Sequence, residues 1–141
     1  MRVLLVEDNP ADVKLIQETL RQNQTLHTLD VVQDGISAMA FLRKETAYAD
    51  VSRPDLILLD LNLPGKNGFD VLRDLKADDR FKQIPIVVLT SSEAQEDINR
   101  SYDLHANCFL TKPWDLDQFV EMISGLIKFW FSSVRLPVTV P

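Results

Sequence analysis

The sequence contains few of the features that mark several common classes of protein. Cys108 is the single cysteine among 141 residues, so no disulfide forms within the chain, as is typical of a reducing compartment. Acidic residues outnumber basic ones and give a net charge of −6, which argues against binding to nucleic-acid phosphates. No apolar run approaches the roughly eighteen residues that span a membrane, and the segment before Glu7 is too short for a signal-peptide core. These absences predict a cytoplasmic protein that binds neither membranes nor nucleic acids.

The sequence does have the apolar content of a folded domain. Hydrophobic residues make up 45% and charged residues 26% of the chain, and its length is that of one ordinary domain. We expect this domain to occupy residues 1–131, followed by a C-terminal tail at residues 132–141. The last part of the chain continues an aromatic and apolar pattern through Trp130, Phe131 and Leu136, which is typical of a contact surface.

Five short apolar runs alternate with longer segments of helical periodicity. The runs are apolar almost throughout, as parallel strands are when both faces are covered. They lie at residues 3–6, 29–32, 56–59, 84–89 and 108–110. Helix-start signals follow four of the runs, at Asn9-Pro10, Asp34-Gly35, Ser92 with Gln95, and Asp115 with Gln118. The alternation predicts an α/β fold, a doubly wound, flavodoxin-like, five-stranded parallel sheet in the order 2-1-3-4-5 with five helices.

Polar side chains stand directly after four of these runs. Glu7 and Asp8 follow the first run, Asp60 the third, Thr90 the fourth and Lys112 the fifth. In a sheet of the predicted order, the carboxyl ends of the first and third strands flank the point where the strand order reverses, and ligands bind there. The sequence therefore predicts that three carboxylates, a hydroxyl and an ammonium group converge at one edge of the sheet.

The carboxylates of this cluster fit a magnesium site. Neighbouring carboxylates repel one another unless a cation compensates them, and Mg²⁺ prefers oxygen ligands. We expect Asp8 and Asp60 to bind the ion directly, together with the backbone carbonyl of Asn62, and Glu7 to act through a bound water.

The remaining two side chains fit a phosphoryl group. Lys112 can pair with one phosphoryl oxygen as a point charge, and the Thr90 hydroxyl can donate a hydrogen bond to another. A carboxylate nucleophile, Asp60, beside a magnesium ion completes the description of an aspartyl-phosphate site.

Four motifs at these strand ends resemble the receiver domain of two-component response regulators. They are "VEDN", "LLDLNLPGKNG", "VVLTSS" and "FLTKP", in that order, and the resemblance covers residues 1 to about 130. It implies that Asp60 accepts a phosphoryl group from a partner histidine kinase, and that Glu7 and Asp8 form the acidic pocket for Mg²⁺. It also implies a signalling switch rather than an enzyme, with catalysis limited to its own phosphorylation and dephosphorylation.

The same resemblance implies how such a switch works. Thr90 moves toward the phosphoryl group on activation, and Phe109, at the aromatic switch position, turns into the space that Thr90 leaves. Lys112 contacts the phosphoryl group, and its peptide bond to Pro113 is expected to be cis. Many family members carry tyrosine at the switch position, so this chain lacks a hydroxyl there.

A narrower resemblance concerns the C-terminal third of the chain. The segments "SYDLHANCFLTKPWDLDQF" and "IKFWFSSVRLP" resemble the small stand-alone regulators paired with bacterial phytochromes, which implies a phytochrome-type light-sensing histidine kinase as partner. We also expect a homodimer through the fourth helix, the fifth strand, the fifth helix and the tail, because an edge strand beside an apolar helix face can pair across a two-fold axis.

Two other functions share parts of this pattern. A Mg²⁺-dependent aspartyl-phosphate phosphatase of the haloacid dehalogenase type needs a second acid two residues after its nucleophile, where this chain has Asn62. A flavodoxin needs a phosphate-binding loop rich in hydroxyl groups and glycine after the first strand, where this chain has the acidic "EDNP". His27 and His105 are isolated, and we expect them to be structural or surface residues.

Overall fold

The computed structural model describes residues 1–22 and 28–138 and has the predicted architecture. Five parallel strands form one sheet in the order β2-β1-β3-β4-β5, which confirms the predicted fold class. The strands are β1 Arg2–Val6, β2 Thr28–Val32, β3 Leu56–Leu59, β4 Ile86–Thr90 and β5 Cys108–Thr111. The helices are α1 Pro10–Arg21, α2 Gly35–Leu42, α3 Gly68–Ala77, α4 Gln95–Asp103 and α5 Leu116–Lys128, with a 3-10 turn at Thr46–Tyr48 and a π-helix at Phe129–Ser133. His27 lies outside the described residues.

Three helices begin at the side-chain caps that the sequence predicts. Asn9 Oδ1 accepts hydrogen bonds from the first backbone N–H groups of α1, and Pro10 occupies the first helical position. Asp34 accepts from the N–H of Ser37, at 2.7 Å, to cap α2. Asp115 accepts from the N–H of Gln118, at 3.2 Å, to cap α5.

The predicted cap of α4 at Ser92 is wrong. The helix begins at Gln95 and its cap residue, Ala94, makes no side-chain hydrogen bond. The Ser92 hydroxyl instead donates to Asp97 at 2.6 Å and accepts from the N–H of Ala94 at 3.2 Å. Its oxygen is therefore used in a local turn before the helix, which competes with capping for the same side chain.

The core consists of two apolar layers, one on each face of the sheet. Leu4 and Val6 of β1 pack with residues of α2 and α3, whereas Val3 and Leu5 pack with residues of α1 and α5. All residues of β3 and β4 are buried, while those of the edge strand β5 are only half-buried. Because β1 and β3 are central and covered on both faces, the residues that follow them are held firmly at the carboxyl edge of the sheet.

The segment after α5 contacts the domain over part of its length. Trp130 and Phe131 pack against the layer formed by α1 and α5. Pro137 lines a small cleft with Pro54 and Pro85, which precede β3 and β4. Phe129 remains 56% exposed.

The domain boundary at residue 131 stays a prediction, and residues 139–141 of the predicted tail lie outside the described part of the chain. Within residues 1–22 and 28–138, no helix is long and apolar enough to cross a membrane.

Candidate functional site

The carboxyl ends of β1 and β3 place two acidic side chains next to each other. The backbone N–H of Glu7 donates to the carbonyl of Val32 at 3.0 Å, and that of Asp60 donates to the carbonyl of Val6 at 3.0 Å. Both residues thus continue the backbone hydrogen bonding of the sheet by one residue. This fixes the positions of their Cα atoms, from which the side chains extend. Glu7 is 1% exposed and Asp60 is 5% exposed, so both carboxyl groups lie under the surface.

Asp8 joins these two residues in an acidic cluster. One carboxylate oxygen from each of Glu7, Asp8 and Asp60 lies within 4.8 Å of the others, and Asp8 is the exposed member. Three hard oxygen donors at this separation fit a small divalent cation. Asn62 lies beside the cluster, because its backbone N–H donates to Asp60 Oδ1 at 3.2 Å, and its side chain is exposed.

The turn after Asp60 is shaped by two glycines. Gly65 has a φ of +69°, a conformation that other residues adopt with strain. Gly68 begins α3 so close to the end of β3 that a Cβ atom there would lie 2.3 Å from the Asp60 carbonyl oxygen and 2.5 Å from Leu61 Cα. The motif "PGKNG" therefore turns the chain tightly away from the Asp60 carboxylate.

Lys112, directly after β5, carries its ammonium group into the cluster. Its Nζ lies 2.6 Å from Glu7 Oε2, 2.9 Å from Asp12 Oδ2 and 3.3 Å from Asp60 Oδ2. The lysine side chain is 10% exposed. An ammonium group has three N–H donors, and here each has a carboxylate acceptor.

Burial and charge shift the titration of two of these groups. Burial raises the pKa of the Glu7 carboxyl to about 7, and the nearby charge of Asp60 adds to the rise, although the hydrogen bond from Lys112 works against it. Burial alone would lower the pKa of Lys112. Hydrogen bonds to Glu7 and Asp12 outweigh that effect and raise it, so the ammonium stays charged at physiological pH.

Thr90 ends β4 at the same edge of the sheet. Its backbone carbonyl accepts from the N–H of Lys112 at 2.7 Å, which joins the ends of β4 and β5. The residue is fully buried, and among the described residues its hydroxyl has no hydrogen-bond partner. A buried unpaired hydroxyl is uncommon in folded proteins and costs about 1–3 kcal/mol. A hydroxyl kept in this state beside an acidic cluster is suited to a ligand that brings its own acceptor oxygen.

Phe109 lies on the face of β5 opposite to Cys108 and Leu110. Its ring is half-buried and packs against the layer formed by α2 and α3. Its backbone N–H donates to the hydroxyl of Tyr102, on α4, at 3.2 Å. Phe109 has no hydroxyl of its own, but its backbone contacts the phenol hydroxyl of Tyr102 on the neighbouring helix.

The expectation of a cis bond before Pro113 is wrong. No peptide bond among the described residues is cis. The trans isomer is favoured by about 0.5–1 kcal/mol even before proline. Here it is compatible with the backbone bond from Lys112 to Thr90 and with the three ion pairs of the ammonium.

The sequence reasoning missed Asp12 as a member of the site. Asp12 could have been predicted from its position in the first turn of α1, four residues after Asp8. A helix that begins directly after β1 starts at the carboxyl edge of the sheet, so its first turn lies near the cluster. His105, by contrast, is exposed and has a positive φ of 71° at the end of α4, as expected for a surface residue.

Comparison with known proteins identifies the family. Residues 3–124 match the response regulator receiver domain. The response regulator Rcp1 of Synechocystis sp. is 47% identical over 135 residues, which are 96% of this chain and 92% of Rcp1. The chain therefore belongs to the response regulator receiver domain family.

Two solved structures are similar over almost the whole chain. The phosphorylated cyanobacterial phytochrome response regulator RcpA has a TM-score of 0.94 at 50% identity, covering 97% of this chain and 98% of RcpA. The Mn²⁺-bound form of Rcp1 has a TM-score of 0.94 at 46% identity, covering 97% of this chain and 99% of Rcp1. Rcp1 binds Mn²⁺ in that structure, and this chain has the acidic cluster of Glu7, Asp8 and Asp60.

Proposed function

We propose that the protein is a phospho-accepting switch that receives a phosphoryl group on Asp60 from a histidine kinase. The observation that carries this proposal is the place of the Asp60 carboxylate. It stands at the end of a central strand, buried to 5% exposure, within an acidic cluster and 3.3 Å from the Lys112 ammonium. A carboxylate beside an ammonium group, at the switch point of a doubly wound sheet, is suited to nucleophilic attack on phosphorus.

In the proposed transfer, one carboxylate oxygen of Asp60 attacks the phosphorus of a phosphohistidine. The P–N bond breaks, an acyl phosphate forms on Asp60, and the imidazole leaves with the electron pair and takes up a proton. Lys112 pairs with the phosphoryl oxygens, and the buried Thr90 hydroxyl donates to one of them. Asp8, Asp60 and the carbonyl of Asn62 would hold Mg²⁺, with Glu7 acting through water. The ion would neutralise charge on the transferred group.

Activation then changes the face formed by α4, β5 and α5. The acyl phosphate brings a charge of about −1.5 to −2 to the end of β3. Thr90 contacts it in a new loop arrangement, and Phe109 turns inward. The hydrogen bond from the backbone N–H of Phe109 to the Tyr102 hydroxyl links β5 to α4. The similarity to the cyanobacterial phytochrome response regulator RcpA supports a phytochrome-type light sensor kinase as the donor. We place this exchange in the cytoplasm, as the composition of the chain predicts.

The experiment that tests the acceptor compares Asp60→Asn with the wild type. Each protein is incubated with acetyl phosphate and Mg²⁺, and the phosphorylated fraction is measured by intact mass. Asp103→Asn, an exposed aspartate at the end of α4, is the matched control. We expect phosphorylation of the wild type and the control but not of Asp60→Asn. Equal phosphorylation of Asp60→Asn would show that another residue is the acceptor.

We further propose that two copies pair through α4, β5, α5 and the tail. An apolar groove of about 280 Å³ lies between the free edge of β5 and α5. It is lined by Cys108, Leu110, Met122, Leu126, Phe129 and Trp130, together with Asn107. Exposed apolar surface of this kind is typical of contact sites. Sedimentation at tens of micromolar tests the proposal, with Phe129→Asp expected to give monomers and Ile36→Asp, exposed on α2 away from this face, to leave the dimer intact. A monomeric wild type, with and without a phosphate analogue, would contradict it.

A further inference from the structure

Asp12 makes a contact that neither the sequence motifs nor the family resemblance assign. Its Oδ2 lies 2.9 Å from Lys112 Nζ, closer than the 3.3 Å of Asp60 Oδ2. It is absent from the group of Glu7, Asp8 and Asp60, whose oxygens approach one another within 4.8 Å. Asp12 therefore contacts Lys112 and is not a member of the acidic cluster that fits a cation.

We propose that Asp12 is a positioning residue for Lys112. The proposal rests on the function proposed above, in which Lys112 contacts the phosphoryl group on Asp60. The lysine ammonium has three N–H donors on a flexible four-carbon chain. Glu7, at 2.6 Å, and Asp12, at 2.9 Å, hold two of these donors. The third is thereby directed at Asp60, where the phosphoryl group forms.

The backbone around Asp12 is held independently of this contact. Asn9 caps α1 by accepting hydrogen bonds from the N–H groups of Ala11 and Asp12, at 3.0 and 3.2 Å. Pro10 at the first helical position also favours the helix. A change confined to the Asp12 side chain therefore leaves the start of α1 in place. It removes the carboxylate contact and the small benefit of an acidic residue in a first helical turn.

Asp12 also carries a negative charge, which opposes the approach of a phosphoryl group. We expect the direct contact with Lys112, at 2.9 Å, to outweigh this repulsion, because electrostatic interactions weaken with distance. Positioning of Lys112 predicts that phosphorylation of Asp12→Ala is slower than that of the wild type, whereas charge repulsion alone predicts that it is faster. Two variants separate these effects. Asp12→Asn keeps an oxygen acceptor and loses the charge, whereas Asp12→Ala loses both.

The first test measures the rate of phosphorylation by phosphoramidate with Mg²⁺. Asp117→Ala is the matched control, because Asp117 is an exposed acidic residue in the first turn of α5. We expect Asp12→Ala to slow phosphorylation about five- to tenfold, the size of effect given by loss of one ordinary, partly solvent-exposed hydrogen bond. Asp12→Asn is expected to stay within about twofold of the wild type, and the control to be unchanged. A rate for Asp12→Ala equal to or above that of the wild type overturns the proposal, and so does Asp12→Asn as slow as Asp12→Ala.

The second test needs neither phosphate nor metal. The ¹⁵Nζ signal of the Lys112 ammonium is recorded by NMR in the presence of a chelator. We expect a sharp signal, protected from exchange with water, in the wild type and in Asp117→Ala, and a broadened or lost signal in Asp12→Ala. An unchanged signal overturns the proposal. If neither the wild type nor any variant is phosphorylated, the acceptor function has failed, while this measurement still decides the role of Asp12.

Discussion

Replacing Glu7 with glutamine should change how the stability of the protein depends on pH. Burial raises the pKa of this carboxyl from an ordinary 4.5 to about 7. The folded protein therefore keeps the proton at pH values where the unfolded chain has released it. It follows that the free energy of unfolding decreases as pH rises from 4.5 to 7. At about 1.4 kcal/mol for each pH unit, the whole interval amounts to about 3 kcal/mol.

The Glu7→Gln variant cannot lose this proton, so it should lack this part of the decrease. We expect its stability relative to the wild type to improve by about 3 kcal/mol between pH 4.5 and pH 8, whatever constant offset the altered bond to Lys112 adds. Urea unfolding followed by circular dichroism, with a chelator present, measures the difference at each pH. Glu18→Gln is the control, because Glu18 is exposed on α1.

A stability difference between Glu7→Gln and the wild type that stays constant over this range would refute the reasoning. It would mean that the Glu7 carboxyl titrates alike in the folded and unfolded chain. Adding Mg²⁺ at pH 8 extends the test, since a cation bound to the folded state alone stabilises it by mass action. The wild type should gain more than the variant, because its ionised carboxylate helps to hold the ion.

Two further substitutions test the turn after β3 and the buried hydroxyl. Gly68→Ala places a Cβ 2.3 Å from the Asp60 carbonyl oxygen, and should cost about 1–3 kcal/mol and lower the thermal midpoint by about 3–10 °C. Gly125→Ala, whose Cβ meets no neighbouring atom within 4 Å, should leave the free energy of unfolding unchanged or raise it by up to about 1 kcal/mol. Equal thermal midpoints for the two variants would contradict the steric argument. Thr90→Val removes the unpaired hydroxyl, so it should stabilise the phosphate-free protein by about 1 kcal/mol in urea unfolding while lowering the phosphorylated fraction. Loss of stability on this change would show that the hydroxyl is paired after all.

The fold was predictable because its signals repeat along the chain. Each apolar run is bounded by residues that cannot continue it, and the alternation with helices leaves few possible topologies. Once the order of strands is known, the meeting of Glu7, Asp60 and Lys112 follows, because parallel strands bring their carboxyl ends to one edge.

The parts that were missed depend on contacts that a sequence pattern does not contain. Ser92 has capping-box spacing, but its hydroxyl donates to the side chain of Asp97, in the first turn of α4, and the helix begins only at Gln95. Asp12 is one acidic residue among several, and what distinguishes it is the reach of Lys112 across the sheet edge. The isomer before Pro113 depends on the local balance between two forms that differ by about 1 kcal/mol. Such details are decided by side-chain geometry rather than by periodicity.

The Lys112 ammonium joins residues that are far apart in the chain, since Glu7 is 105 positions and Asp60 is 52 positions before it. In the sheet, β3 and β4 separate β1 from β5, so this side chain bridges the ends of the central strands to the outermost one. Ion pairs at the carboxyl edge of the sheet thus attach the end of β5 to the ends of β1 and β3, in addition to the packing of the apolar layers. A chemical change at Asp60 therefore acts directly on the attachment of β5 as well as on the end of its own strand.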